Sequence, residues 1–212
     1  MLYLKLRVYC FEYFEKKKVK RIYQNHPLFK EIDGLRRSKL KGINPYRLCR
    51  EYAQDSPYGE TPISVLKHMV DMFKIEKGVS SIDLGSGLGR SVFFLNAYLK
   101  GMATGLERIF VFYKLCQEVV NEIPNTSIRF ICGDLKSIDL SPYDLIYLYG
   151  TCLSDIDILQ FIKNCKSTAR KAKIITISYA LTEYEPESFL TLDELNVSFP
   201  WGYTTAYLQI VK

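Results

Sequence analysis

Residues 79–90 read Val-Ser-Ser-Ile-Asp-Leu-Gly-Ser-Gly-Leu-Gly-Arg. Val79 to Leu84 has the composition of a short buried strand, and the glycines at 85, 87 and 89 turn the chain into a helix that starts near Arg90. Such a turn lets a ligand come close to the main chain and is expected to offer it unpaired amide groups. The spacing is G-x-G-x-G, which differs from the G-x-G-x-x-G of dinucleotide sites. Asp83 stands two residues before the first glycine. A carboxylate there repels a pyrophosphate and suits a ligand with a cationic amine or sulfonium.

The run Asp83-Leu84-Gly85-Ser86-Gly87-Leu88-Gly89 resembles the first motif of the Rossmann-like methyltransferases that use S-adenosylmethionine (SAM). Upstream, Tyr58-Gly59-Glu60-Thr61 precedes a helix with apolar residues at 63, 66, 69, 70 and 73. Thr61 has the chemistry of an N-cap and Pro62 that of a first helical residue. This loop, a helix, and then the glycine motif resemble the non-SET, Rossmann-type histone lysine methyltransferases (the disruptor-of-telomeric-silencing family) and their bacterial relatives. The resemblance covers roughly residues 56–212 in order of elements. It implies an α/β fold, a seven-stranded sheet with an antiparallel last strand and helices on both faces. It also implies that the loop closes over the methionine end of SAM, with contacts from Tyr58, Glu60 and Thr61, and that Asp83, Gly85, Gly87 and Gly89 border the cofactor.

Further strands are expected at 102–106, 127–132, 145–149 and 173–179, with a hairpin from Leu195 to Phe199 and Tyr203 to Val211. Glu107 lies 22 residues after Gly85, where Rossmann-type domains place a carboxylate that accepts both ribose hydroxyls. The resemblance assigns Asp134 to the adenine amino group. Tyr149-Gly150-Thr151-Cys152 ends the fourth strand, at the edge where α/β ligands bind. Methyltransferases of exocyclic base amines have Asp/Asn-Pro-Pro-aromatic here, and this chain lacks it. The histone enzymes have Asn followed by Phe, where this chain has Gly150 and Thr151. Tyr149 and Thr151 are therefore the candidates for orienting the acceptor. Cys152 has no preceding proline and is expected to be a buried structural thiol. Tyr147, Tyr149 and Tyr179 could wall a dry acceptor channel, and Trp201 is expected to anchor packing.

The first 50 residues carry 14 Lys/Arg against 4 Asp/Glu, a net of +10, and residues 51–212 carry 15 against 19, a net of −4. A basic helical extension over 1–56 thus precedes a methyltransferase domain over 57–212, and the asymmetry points to nucleic acid or another acidic partner, or simply to a solvated face. Leu2–Phe14 is apolar at ten of thirteen positions, so it is expected to pack on the domain, form a dimer contact, or lie on an anionic membrane. It falls short of the ~20 residues a transmembrane helix needs. The six cysteines are well separated and only two histidines are present, which argues against a metal site and for a reducing, cytoplasmic compartment. SAM-dependent methyl transfer to protein lysine is the leading expectation. Transfer to RNA or a small molecule, and a SAM-binding module without catalysis, remain alternatives.

Overall fold

The computed structural model describes residues 2–52 and 58–212, with side chains from Leu6 onward. Ser56 and Pro57, and with them the expected domain boundary, lie outside the described residues. Helices α1 (Leu2–Asn25), α2 (Pro27–Lys39), α3 (Pro45–Tyr52) and α4 (Ile63–Met72) come first. They are followed by β1 (Ser81–Leu84), α5 (Arg90–Leu99), β2 (Ala103–Glu107), α6 (Phe110–Val120), β3 (Ile128–Cys132) and β4 (Leu145–Leu148). The chain ends with α7 (Asp155–Thr168), β5 (Lys173–Ile177), β6 (Phe189–Phe199) and β7 (Gly202–Val211).

The strands form one sheet in the order β3-β2-β1-β4-β5-β7-β6. The first five are parallel to their neighbours, and β7 runs antiparallel between β5 and β6. The hairpin is longer than its sequence pattern suggests, because β6 begins at Phe189 rather than Leu195. The order of the strands reverses between β1 and β4, and a crevice at their carboxyl ends is where such sheets bind ligands. β1 and β4 are buried at every position, as central parallel strands must be when helices cover both faces.

Two cores result. Ile82, Leu84, Ile146, Leu148 and Ile174 pack against Phe161 and Ile162 of α7 on one face. On the other, Leu145, Tyr147 and Ile175 share a core with α4 and α5, and that core also takes Ile22, Phe29 and Ile32 from α1 and α2. Phe29 meets Phe94 edge-on at 5.3 Å. The basic extension is thus joined to the sheet by hydrophobic burial worth ~1.5–3 kcal/mol per large side chain.

Polar contacts add to this union. Arg36, 4% exposed, donates Nε–H to the Leu88 carbonyl at 2.9 Å and pairs with Asp33 and Glu60. The first turn of α4 is capped from α1: Glu15 accepts from the Ser64 amide at 3.0 Å and from its hydroxyl. Thr61 is not the N-cap. Pro62 occupies that position, and the Thr61 hydroxyl is taken by the Tyr147 hydroxyl beneath it. The early part of α1 departs from the burial expected of an apolar helix. Leu6, Tyr9, Tyr13 and Phe14 are exposed, because α1 touches the body mainly through its later turns. Among the described residues, no helix is long and apolar enough to cross a membrane.

Two substitutions test this union by urea unfolding at pH 7. Arg36→Ala leaves Asp33 and Glu60 short of their buried cation and is expected to cost about 3–5 kcal/mol. Glu15→Ala removes a cap and is expected to cost about 1 kcal/mol, part of which Glu15→Gln should recover. A loss under about 0.5 kcal/mol from Arg36→Ala would mean that the extension is not held through this residue.

Candidate functional site

The cleft at the switch point has a volume of about 540 Å³ and is bordered by Tyr58, Gly59, Gly85, Gly87, Glu107, Asp134, Tyr149, Thr151, Cys152 and Trp201, among others. Of the residues singled out from the sequence, Tyr58, Gly85, Gly87, Glu107, Asp134, Tyr149 and Thr151 border it. Glu60, Thr61, Asp83 and Gly89 lie behind its surface.

The main-chain amides of the glycine turn are already engaged, contrary to the expectation of a free amide pool. Gly85 and Ser86 donate to the Leu106 carbonyl at 2.9 and 3.0 Å. Gly87 donates to Glu107 Oε2 at 2.8 Å, Leu88 to the Tyr58 hydroxyl at 3.4 Å, and Gly89 to the Ser86 carbonyl at 2.8 Å. The turn therefore lacks the converging N–H groups that hold a phosphate. What it offers is bare Cα surface. At Gly85, φ is +81° and a Cβ would meet nothing within 4 Å, so that side of the chain opens to the cleft. At Gly89, φ is +76° and a Cβ would strike the Phe130 ring at 2.7 Å, so this glycine serves the packing of α5 on the sheet.

Glu107 closes β2. Its second oxygen accepts from the Ile109 amide at 2.8 Å. Burial raises its pKa, and the amides of Ile109 and Gly87 oppose that rise. Each carboxylate oxygen has two lone-pair directions, so one on each remains for a vicinal diol. Asp134 is exposed; its Oδ1 caps a turn through the Lys136 amide at 2.9 Å. Asp83 sits beneath the turn, 4% exposed, and accepts from the Ser91 hydroxyl. Burial pushes its pKa up to about 7, with Glu107 and Glu60 adding to the effect. Glu60 is held by two cations, Arg36 from α2 and Arg90 from the start of α5. That pairing fixes the loop preceding α4, so that the Tyr58 ring lies over Gly87, where a Cβ would come within 3.0 Å.

The far end of the cleft is aromatic. Tyr149 stacks on Phe199 at 5.1 Å, Phe199 on Trp201 at 5.3 Å, and Trp201 Nε1–H donates to the Tyr149 hydroxyl at 3.1 Å. Trp201 is 48% exposed and borders the cleft, so it is more than the packing anchor expected of it. Tyr147 is not a channel wall. It is buried deeper along β4, in the core, where its hydroxyl meets that of Thr61. Tyr179 lies beyond Gly150, outside this cleft. Cys152 is exposed rather than buried, because β4 ends at Leu148 and the loop after it rides over the mouth. Arg36, Arg90 and Trp201 could have been found only by knowing which distant side chains they meet. Among the described residues, no three His, Cys, Asp or Glu side chains are grouped to hold a metal ion.

Comparison with known proteins bears on this arrangement. A family model described as histone methylation protein DOT1 matches residues 43–138, just under half of the chain. The match takes in the Tyr58–Thr61 loop, the glycine turn, Glu107 and Asp134, and stops before the end of β4. Among curated protein sequences there is no match. Among solved structures, MtNAS in complex with MTA and tNA is similar over 91% of this chain and 74% of that one, with 14% identity and a TM-score of 0.62. An RNA methyltransferase from Salinibacter ruber in complex with S-adenosyl-L-homocysteine is similar over 72% and 93%, with 18% identity and a TM-score of 0.56. TrmN from Thermus thermophilus gives 12% identity and a TM-score of 0.62 over 79% of this chain and 53% of that one. At such identities the likeness is one of fold: the chain has the Rossmann-like class I methyltransferase architecture.

Proposed function

We propose that the protein is a SAM-dependent methyltransferase whose acceptor is the side-chain amine of a protein lysine, working in a reducing, cytoplasmic compartment. The observation that carries the cofactor reading is the glycine turn with its amides spent and Glu107 bound to Gly87. Such a turn disfavours a phosphate and leaves acceptor oxygens for a ribose diol. The DOT1 match over 43–138 and the aromatic end of the cleft support the acceptor reading.

When bound, SAM supplies an electrophilic methyl group on a sulfonium whose departure leaves a neutral thioether. Glu107 would accept from both ribose hydroxyls and Asp134 from the adenine amino group. Tyr58, seated over Gly87, would cover the methionine end. The Tyr149–Phe199–Trp201 stack makes the far wall aromatic. Against that wall, partial desolvation would favour the neutral amine, the form with a free lone pair, once the ammonium has given its proton to solvent. Holding the amine in line is worth up to ~7–11 kcal/mol of the barrier. Tyr149 and Thr151, at the loop after β4, are the residues we assign to that positioning.

Calorimetry tests the cofactor. Glu107→Ala should weaken SAM binding by about 10- to 100-fold, the value of one or more charged hydrogen bonds. Unchanged affinity would remove the assignment. Incubation with labelled SAM and cell lysate should label protein bands; label confined to RNA would replace the lysine acceptor with RNA, and label confined to small molecules would remove a macromolecular acceptor.

Asp83 gives a pH test. Its pKa is raised from 3.8 to about 7 on folding, so the native state binds the proton more tightly than the unfolded chain. Its contribution to stability is therefore greatest below about pH 4 and falls as pH rises towards 7. Asp83→Asn should flatten the decline in urea-unfolding free energy between pH 5 and pH 7.5, and an unaltered slope would show that Asp83 does not titrate in this range. A cationic ligand above the turn would draw the proton off, so SAM binding near pH 6.5 should release protons, seen as a buffer-dependent heat.

A further inference from the structure

The wall made by Gly150, Thr151, Leu153 and Trp201 has a second hollow on its other side, about 460 Å³, completed by Asp155, Ser178, Tyr179 and Tyr184. Nothing assigned so far uses it. Its position at the carboxyl ends of β4 and β5, sharing a wall with the cofactor cleft, is open to an acceptor group.

Its chemistry is of one kind. Tyr179 and Tyr184 meet edge-on at 6.1 Å, and Trp201 supplies a third aromatic surface. The Tyr184 hydroxyl donates to Asp155 Oδ1 at 3.0 Å, which fixes the carboxylate at the rim. Of the neighbouring acidic groups, Asp157 pairs with Lys136 at 2.8 Å and Glu185 with Lys166 at 2.6 Å, Glu183 accepts from the Ala180 amide, and the described lining of the hollow includes no Lys or Arg. Two observations beyond the acidic group point to a ligand. Tyr179 is 9% exposed, and its hydroxyl lies against Gly150 with no hydrogen-bond partner among the described residues. A buried hydroxyl left in this state is costly unless something else completes it. Ser178, at the end of β5, has φ +78°, a backbone conformation that a non-glycine residue rarely adopts. It is held there by its amide on the Thr205 carbonyl and by the Thr204 hydroxyl, both at 2.8 Å. Strain of this kind gathers at ligand sites.

We infer that this hollow receives the protonated primary amine of the methyl acceptor before transfer, between the Tyr184 and Trp201 rings, with the Asp155 carboxylate opposing its charge and the Tyr179 hydroxyl at its floor. Aromatic faces and a carboxylate attract an ammonium, and the same set repels a phosphodiester. The inference rests on the methyltransferase reading for its purpose, but its ligand chemistry can be tested alone.

The probe is n-butylammonium, the lysine side chain without its backbone, with n-butanol as the neutral control, titrated into the ¹⁵N-labelled full chain. The ammonium should shift the amide signals of Gly150, Thr151, Ser178 and Tyr184, and n-butanol should not. Asp155→Asn should weaken the ammonium titration by roughly three- to fivefold, the range of an exposed ion pair. Tyr184→Phe, which frees the carboxylate from its tether, guards against a fold defect and should weaken it too. Shifts that are equal for both probes, that fall elsewhere, or that persist unchanged in Asp155→Asn would overturn the inference. The cofactor reading stands or falls separately: SAM that fails to bind the wild-type chain removes it, whatever n-butylammonium does.

Discussion

A single guanidinium joins the parts that make the cleft. Arg36 rises from α2 into the interior, binds the carbonyl of Leu88 in the glycine turn, and pairs with Glu60 in the loop ahead of α4. Glu60 reaches on to Arg90 at the start of α5, and Asp33 balances Arg36 from its own helix. A buried charge of this sort is weak evidence of extra stability, since removing charges from water costs several kcal/mol each. Its value is geometric. It ties α2, the loop and the turn together in the arrangement that sets Tyr58 over Gly87.

The same accounting separates one class of ligand from another. A glycine turn that binds phosphate keeps several amides free and aims them at one point. Here Leu106, Glu107, Tyr58 and Ser86 take those amides. Asp83 and Glu107 add two carboxylates on the adjacent strands β1 and β2, both with raised pKa because burial disfavours their charge. A cationic ligand relieves that cost and an anionic one increases it. The preference for a sulfonium compound is therefore built into hydrogen bonds and burial, not only into the spacing of the glycines.

The order of strands and helices was legible because each is written locally, as an apolar run of strand length, a glycine turn, or a helical repeat such as Ile63, Leu66, Met69 and Val70. Glu107 at the end of β2 was placed by counting from Gly85, and Asp134 after β3 by the family resemblance. The support of the site was not legible, for a physical reason. Arg36 and Glu60 are 24 residues apart, Arg36 and Leu88 are 52 apart, and Trp201 and Tyr149 are 52 apart. Nothing in the local pattern of Arg36-Arg37 distinguishes a buried clamp from a solvated pair. Thr61 failed as a cap for the same reason: a suitable partner, Tyr147, lay 86 residues away and competed for its hydroxyl.

The charge asymmetry also changes meaning once the side chains are placed. A net of +10 over the first 50 residues suggests a continuous basic arm. In the fold, Arg36 is interior, Arg37 pairs with Asp33 at 2.9 Å, and Lys39 pairs with Glu122 across to α6. Arg36 and Lys39 thus join α2 to the body, and Arg37 is paired within its own helix. The outward charge that remains is densest on α1, at Lys16, Lys17, Lys18, Lys20 and Arg21, all exposed, with Lys30, Lys41, Arg47 and Arg50 exposed beyond it. That cluster is one surface of one helix, the helix whose Glu15 also caps α4.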